Sequence, residues 1–200
     1  MKSKSAIPDR RDQLVRAAGK LIQRQGYART TLAEIAQEGG VPLGSVYYYF
    51  KTKDEVFVSI NKRRLEGLRL LLADTAESAG PRAGLEALIQ IWVRDKDIDA
   101  LHGCPIGSIC YELAKQRGAL SEEAAKPLRF LQQWSTEQFR LLGCGEDSAG
   151  HALHLVTVLQ GASLVANAFG DPDVIVRETD RLMHWLEGIA GLRMPRAAIH

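Results

Sequence analysis

The sequence predicts an all-α protein of about nine helices. Three observations lead to this class. Apolar residues recur at helical spacing through almost every segment, glycine and proline stand between the segments, and no useful length of chain alternates apolar with polar residues as a strand does. The 200 residues are 46% apolar and 25% charged, so a sizeable core can be buried.

The first helix is predicted over residues 9–25, before Gly26, because five apolar residues follow one helical face: Leu14, Ala17, Ala18, Leu21 and Ile22. The second begins at Thr31, since Glu34 three residues later completes a capping-box pattern, and it ends at the Gly39-Gly40 pair. Its inward side chains are Leu32, Ile35 and Ala36.

A tight connection over residues 41–44 leads to a short third helix, Ser45 to Phe50, with Val46 and Phe50 on one side. A long fourth helix is predicted from Asp54 to Ser78. Its buried face carries Phe57, Ile60, Leu68, Leu71, Leu72 and Thr75. After the Gly80-Pro81 break, further helices are predicted at 82–94, 105–117, 121–142, 148–169 and 173–191.

Charge is distributed unevenly along the chain. Residues 1–64 hold 13 Lys/Arg against six Asp/Glu, which gives +7, whereas the other 136 residues hold 13 against 18, which gives −5. Such an imbalance favours attraction of a polyanion by the first part, although solvated surfaces also show it by chance. The arrangement therefore suggests a nucleic-acid-binding N-terminal region.

Several other classes lack support. No apolar run reaches membrane-spanning length, no secretory signal is evident, and three cysteines make no disulfide framework, so a cytoplasmic protein is expected. An enzyme would need a nucleophile–base pair, a phosphate loop or a metal cluster, and none has recognisable spacing. No metal site or cofactor is expected. A pure protein-interaction module is the second rival class.

Three short helices followed by a long one, with a glycine-bearing turn between the second and third, are typical of a helix-turn-helix module. The third helix contains three consecutive tyrosines, Tyr47, Tyr48 and Tyr49. Adjacent residues point about 100° apart, so a six-residue helix cannot bury all of them together with its own apolar residues. Tyr47 and Tyr48 are therefore expected to contact DNA, and Tyr49 is left open between core and DNA contact.

The stretch TLAEIAQEGGVPLGSVYYYFKTKDEV, residues 31–56, resembles the DNA-binding signature of the TetR family of bacterial regulators. The similarity covers residues 8–60, and the helical remainder has a compatible length. By motif position it implies DNA contacts from Thr31, Ser45, Tyr47, Tyr48, Tyr49 and Lys53, and the neighbouring Lys51 suits a phosphate. One departure is Leu43, where the family often has lysine; a contact is lost there, or Leu43 touches a thymine methyl group.

The resemblance also implies two domains, a helix-turn-helix DNA-binding domain at 8–66 and an effector-binding and dimerisation domain at 67–200. It further implies a homodimer on a palindromic or near-palindromic operator, with the last two long helices pairing between subunits. Ordinary intrachain core is the alternative for those helices. The residues expected at the dimer interface are Leu155, Val158, Leu159, Ala162, Val165, Trp185, Leu186 and Ile189.

The sensing step is suggested by the GCPIGS segment at 103–108, which is similar to a TetR subgroup that includes regulators of electrophiles, unsaturated carbonyl compounds or plant phenolics. Cys104 is expected to cap a helix beginning at Pro105, where the helix field favours a reactive thiolate, with His102 as a modulator. The alternatives are a small buried cysteine and a non-covalent apolar or aromatic ligand. Candidate pocket residues are Trp92, Tyr111, Phe130, Trp134 and His154.

Together these expectations describe a DNA-binding transcriptional regulator. It would act as a repressor released from its operator by a small-molecule effector or by modification of a cysteine.

Overall fold

The structure, a computed structural model, describes residues 10–191, and within that range it is all α-helical with no strand. The helices are α1 Arg10–Gln25, α2 Leu32–Glu38, α3 Leu43–Tyr49, α4 Lys53–Ala79, α5 Pro81–Arg94, α6 Lys96–His102, α7 Gly107–Ala114, α8 Ala119–Leu141, α9 Ser148–Phe169 and α10 Asp173–Gly191. The predicted fold class is confirmed. The described residues form ten α-helices, one more than predicted. The additional helix is α6, which follows α5 after a single intervening residue.

The chain divides into two compact units. The first comprises the described residues up to Arg64 together with Ser108–Ala125, and the second comprises Leu65–Gly107 and the described residues from Lys126 onward. The first unit ends near residue 66, the predicted domain boundary, but it also includes 108–125, which the prediction assigned to the second domain. That segment joins the first unit because Ile109, Leu113 and Ala124 are buried in its core.

The core of the first unit is formed where α1, α2, α3 and the start of α4 meet. Leu14, Ile35 and Val46 are fully buried there, one from each short helix. Phe57 of α4 packs edge-on against the Tyr27 ring at 5.6 Å between centroids. The helical periodicity of the sequence therefore selects the faces that meet in this core.

The loop after α1 is attached to the core by α7. The Glu112 carboxylate accepts hydrogen bonds from the backbone N–H groups of Tyr27 and Ala28, at 2.9 and 2.7 Å. The Tyr27 hydroxyl donates to Asp54, and burial together with this bond raises the pKa of Tyr27 above its ordinary value. These bonds satisfy polar groups that the loop would otherwise leave without partners.

Helix α8 contains Pro127, which has no N–H to donate to the carbonyl of Glu123 four residues earlier. In the first unit, the buried Asn61 side chain donates to that carbonyl instead. The proline therefore leaves a backbone acceptor that a side chain of α4 uses.

In the second unit, α5, α6 and α10 pack against α9, and Leu88, Leu155 and Leu182 are among the buried residues. Helices α9 and α10 have the predicted bounds. One expectation for α4 is wrong: Leu71 is 42% exposed, whereas Leu72 is fully buried. Adjacent helical positions point about 100° apart, so the buried stripe that passes through Leu72 leaves Leu71 outside it.

Candidate nucleic-acid interface

The N-terminus of α2 has a complete capping box, as predicted. Thr31 Oγ1 accepts from the backbone N–H of Glu34 at 3.2 Å, and the backbone N–H of Thr31 donates to Glu34 Oε2 at 2.8 Å. Hydrogen bonds from Thr31 hold the pKa of Glu34 below its ordinary value. The exposed Thr31 thus lies at a defined helix start, where backbone amides attract a phosphate.

The turn between α2 and α3 depends on its two glycines. Gly40 has φ +61°, a left-handed conformation that favours glycine. At Gly39 an added Cβ would lie 3.1 Å from the Ile35 carbonyl oxygen and 3.3 Å from Leu14 Cδ2. Helix α3 begins at Leu43, two residues earlier than predicted, with Pro42 as its N-cap.

The tyrosines of α3 divide between solvent and core. Val46 and Phe50 are buried at 0% and 2% exposure and attach the helix to the first unit, whereas Tyr47 and Tyr48 are 49% and 76% exposed. Tyr49 is half-buried against the core, and its ring meets that of Tyr48 edge-on at 4.9 Å. The expected exposure of one or two phenols is therefore found, and Tyr49, which had been left open, belongs partly to the core.

The two lysines after α3 both make contacts with backbone carbonyls. Lys51 Nζ donates to the Tyr47 carbonyl at 2.7 Å. Lys53 Nζ donates to the Tyr27 carbonyl at 2.7 Å and lies 4.3 Å from the centroid of the Tyr27 ring. Lys53 therefore stabilises the loop after α1 in this structure while keeping its positive charge beside α2.

Two further side chains border this surface. Ser45 is half-buried near the start of α3, and Leu43 is 40% exposed in its first turn. Arg11 was missed by the sequence analysis: its guanidinium carbon lies 5.0 Å from the Phe50 ring centroid, and its Nη2 donates to Ser59 Oγ at 2.8 Å. The sequence feature that could have indicated this role is the position of Arg11 on the polar face of α1.

The candidate sensor cysteine is in a different environment from the one expected. Cys104 is 6% exposed, and α7 begins three residues after it. Backbone hydrogen bonds from Ile106 and Gly107 favour its thiolate, as a helix start would, but burial and the charge of Asp99 oppose them and raise the pKa of the thiol above its ordinary value. Burial therefore favours the alternative interpretation of Cys104 as a small buried cysteine over the reactive thiolate, because desolvation outweighs the helix start.

Trp92 belongs to a buried chain of hydrogen bonds that the sequence did not reveal. Its Nε1 donates to Ser163 Oγ at 2.9 Å, and Ser163 Oγ donates to Asp99 Oδ2 at 3.1 Å. Burial raises the pKa of Asp99 to about 6. An aspartate on a short helix is usually exposed to solvent, so no local sequence pattern indicated that Asp99 is buried.

The other proposed pocket residues do not form one group. Tyr111 lies in the first unit, is 71% exposed and has Lys115 Nζ 4.4 Å from its ring. In the second unit, Phe130 packs beneath Arg69, Trp134 lines a cavity, and the exposed His154 meets the Trp185 ring edge-on. His102 is half-buried. Among the described residues no group of three or more His, Cys, Asp or Glu is arranged to hold a metal ion.

The residues expected at a dimer interface are mostly core residues of the single chain. Five of the eight are at most 9% exposed: Leu155, Leu159, Ala162, Leu186 and Ile189. Val158 and Trp185 are partly exposed, and Val165 is 37% exposed. The large apolar side chains that α9 exposes are Leu153, Leu164, Val165 and Phe169, of which only Val165 was among the residues expected at the interface.

The segment Gly145–Phe169, which contains α9, is long and apolar enough to cross a membrane, with a mean hydropathy of 1.4. No such segment was predicted from the sequence. The finding is weak evidence for a membrane, because core helices of soluble proteins satisfy the same criterion.

Three short helices, with the third attached to a core and its phenols facing outward, define a helix-turn-helix DNA-binding module. The family model for bacterial regulatory proteins of the tetR family matches residues 14–60. The transcriptional regulator LmrA of Bacillus subtilis is 28% identical over 165 residues, which cover 79% of this chain and 86% of that protein.

Solved structures agree with the fold. A TetR-family regulator from Agrobacterium tumefaciens superposes with a TM-score of 0.77 at 22% identity, covering 88% of this chain and 96% of that one. A TetR-family regulator from Streptomyces coelicolor gives 0.76 at 19% identity, covering 91% and 94%. Residues 14–60 therefore form a DNA-binding domain of the tetR type, the described chain has the fold of TetR-family regulators, and these matches support a DNA-binding transcriptional regulator.

Proposed function

We propose that this regulator is a cytoplasmic repressor that binds a palindromic or near-palindromic operator as a homodimer and is released by a small-molecule effector. The single observation that carries the DNA-binding geometry is the solvent exposure of Tyr47 and Tyr48 on a helix of only seven residues. Phenols exposed to this extent beside basic side chains have the chemistry for phosphate and base contacts in a groove.

The remaining contacts follow from position. Ser45 in α3 would donate to phosphates or bases, and Thr31 Oγ1, which donates to Glu34 Oε2 at 2.8 Å, would redirect that bond to a phosphate. Lys51 and Lys53 would supply charge to the DNA backbone. Tyr49 contributes through its accessible part and orients the Tyr48 ring. In a homodimer, the two α3 helices would enter successive major-groove turns about 34–36 Å apart.

The test measures binding to the upstream region of the regulator's own gene by fluorescence anisotropy at several salt concentrations. We expect Tyr47→Ala to weaken binding by at least tenfold, about the effect of losing one good base or phosphate contact. The matched control is Tyr111→Ala, because Tyr111 is comparably exposed but lies outside α3. Far-UV circular dichroism should be unchanged for both variants, and full affinity of Tyr47→Ala would remove that residue from the interface.

For the dimer, we propose that α9 and α10 pair between subunits through the exposed apolar side chains of α9 rather than through the residues buried within one chain. Leu164 and Phe169 of α9 are 71% and 75% exposed, and large apolar side chains left in water are costly and typical of an interaction surface. We expect Leu164→Glu to give a monomer by light scattering and to lose operator binding. Leu101→Glu, at 71% exposure on α6, is the control that should remain dimeric.

For release, we propose non-covalent binding of an apolar or aromatic effector in preference to attack on Cys104. A buried thiol with a raised pKa is a poor nucleophile, because only the thiolate reacts. We therefore expect Cys104→Ser to retain release of the operator at unchanged effector concentration. A large loss of response specifically to electrophiles would restore the covalent route.

A further inference from the structure

The exposed side of α3 consists of four residues. Leu43, Gly44, Tyr47 and Tyr48 are exposed, whereas Val46 is fully buried in the core of the first unit. The four exposed positions follow the i, i+1, i+4, i+5 spacing of one helical side. Because Val46 holds the helix to the core, these four residues face outward together.

No charged or amide side chain occurs in α3, whose sequence is LGSVYYY. In the major groove, Arg and Lys recognise guanine, Asn and Gln recognise adenine, and Asp and Glu accept a hydrogen bond from cytosine. The helix itself can make none of these contacts. It can make hydrogen bonds from hydroxyl groups and apolar contacts, and the base feature that an apolar side chain recognises is the methyl group of thymine.

The two lysines that follow α3 lie beyond its C-terminal end. Lys51 Nζ donates to the Tyr47 carbonyl and Lys53 Nζ donates to the Tyr27 carbonyl, each at 2.7 Å. In helix-turn-helix proteins the base edges are contacted mainly by the first residues of the recognition helix. Leu43 is the first residue of α3, so it is the apolar side chain best placed to meet a base edge.

Leu43 is accessible and its backbone is held in place. It is 40% exposed, and a Cβ added at the neighbouring Gly44 would meet no atom within 4 Å, so the surface beside Leu43 is open. The carbonyl of Pro42 accepts a hydrogen bond from the backbone N–H of Ser45 at 2.8 Å, which fixes the first turn of the helix. A position that is fixed before DNA arrives reduces the entropy lost on binding.

We propose that Leu43 is a specificity-determining residue, whose side chain packs against the C5-methyl group of a thymine in each operator half-site. Tyr47 lies one turn further along the same side of α3 and contacts the adjoining base or phosphate. The proposal rests on the proposed function in taking α3 as the helix that enters the major groove. It adds the base feature that this helix recognises.

The operator is obtained with the full-length chain by in vitro selection from a pool of random DNA duplexes. We expect the wild type to select half-sites that carry a thymine at one fixed position. Leu43→Ala should lose the preference at that position alone, because it removes the atoms that contact the methyl group. The matched control is Val58→Ala, which should keep the wild-type preference, since Val58 is 43% exposed in the same unit but lies on α4.

Deoxyuridine in place of that thymine tests the methyl group alone, because it keeps the base pair and lacks only the C5-methyl group. In fluorescence anisotropy the wild type should bind the deoxyuridine duplex about fourfold more weakly, the effect of burying one methyl group. Leu43→Ala should bind the two duplexes equally, since the partner of the methyl group is already absent. Leu43→Met keeps an apolar side chain of similar size and should still distinguish them.

The proposal is overturned if no thymine of the selected half-site is sensitive to loss of its methyl group. It is also overturned if deoxyuridine weakens binding of Leu43→Ala as much as that of the wild type, because another side chain would then contact the methyl group. Thermal unfolding shows that each variant is folded. Selection of no sequence by the wild type would count against the proposed function and against this contact with it. A defined operator without methyl dependence would count against the Leu43 contact alone.

Discussion

The two units treat buried polar groups differently. In the first unit the Tyr27 hydroxyl donates to Asp54 and the Glu112 carboxylate accepts two backbone N–H groups, so the loop before α2 is satisfied. In the second unit Asp99, Ser135 and Gln138 each keep a buried oxygen without a partner. Among the described residues of the first unit, only Asn61 Oδ1 is a buried side-chain oxygen without a partner.

This difference fits the roles proposed for the two units, DNA recognition for the first and effector sensing for the second. A recognition helix must be held in one orientation, and complete hydrogen bonding stabilises one arrangement over its alternatives. A sensing unit gains from interior groups that are not yet satisfied, because a ligand or a proton can then change its stability. Buried polar atoms without partners are therefore informative about function when they cluster in one unit.

The largest expected effect concerns Asp99. Its folded-state pKa of about 6 exceeds the ordinary aspartate value of 3.8, so the folded state keeps a proton that the unfolded chain releases. The free energy of unfolding should therefore fall as pH rises from about 4 to about 6, by up to about 3 kcal/mol, and stay level above that window. Urea unfolding across this pH range measures it.

Asp99→Asn should abolish that decline and be more stable than the wild type at pH 7, because a neutral amide replaces a buried carboxylate. The control is Asp97→Asn on the exposed side of the same helix, which should keep the wild-type pH dependence. The same pH dependence in the wild type and in Asp99→Asn across this window would contradict the burial argument.

A smaller effect is expected at Glu112. Replacing it with Ala leaves the backbone N–H groups of Tyr27 and Ala28 without their acceptor, at a cost of about 2 kcal/mol. Amide hydrogen exchange should accelerate at those two residues. Glu122→Ala, at an exposed position of α8, should alter neither the stability nor the exchange rates.

The smallest effect is expected at Ser135, and its sign is opposite. Ser135→Ala removes a buried hydroxyl without a partner, so stability should rise by about 1 kcal/mol. Ser163→Ala removes a buried hydroxyl with two partners and should lower stability. Equal effects of the two substitutions in thermal unfolding would show that partner satisfaction does not distinguish these sites.

Local patterns predicted much of this molecule. The capping box at Thr31 and the bounds of α9 and α10 were predicted correctly, because caps and helix breakers act through neighbouring residues. The exposure of Tyr47 and Tyr48 followed from helix geometry in a segment too short to bury them. Helix α6 was missed because no glycine or proline separates it from α5.

The amino-acid sequence by itself therefore determined the helical class, the helix-turn-helix module and the resemblance to TetR-family regulators. Only the tertiary structure decided that 108–125 joins the first unit, that Cys104 and Asp99 are desolvated, and that Leu155 and Leu159 face their own chain. The reason is physical: helix periodicity and capping depend on neighbours within a few residues, whereas burial and the pKa shifts it causes depend on which distant helix packs against a given face.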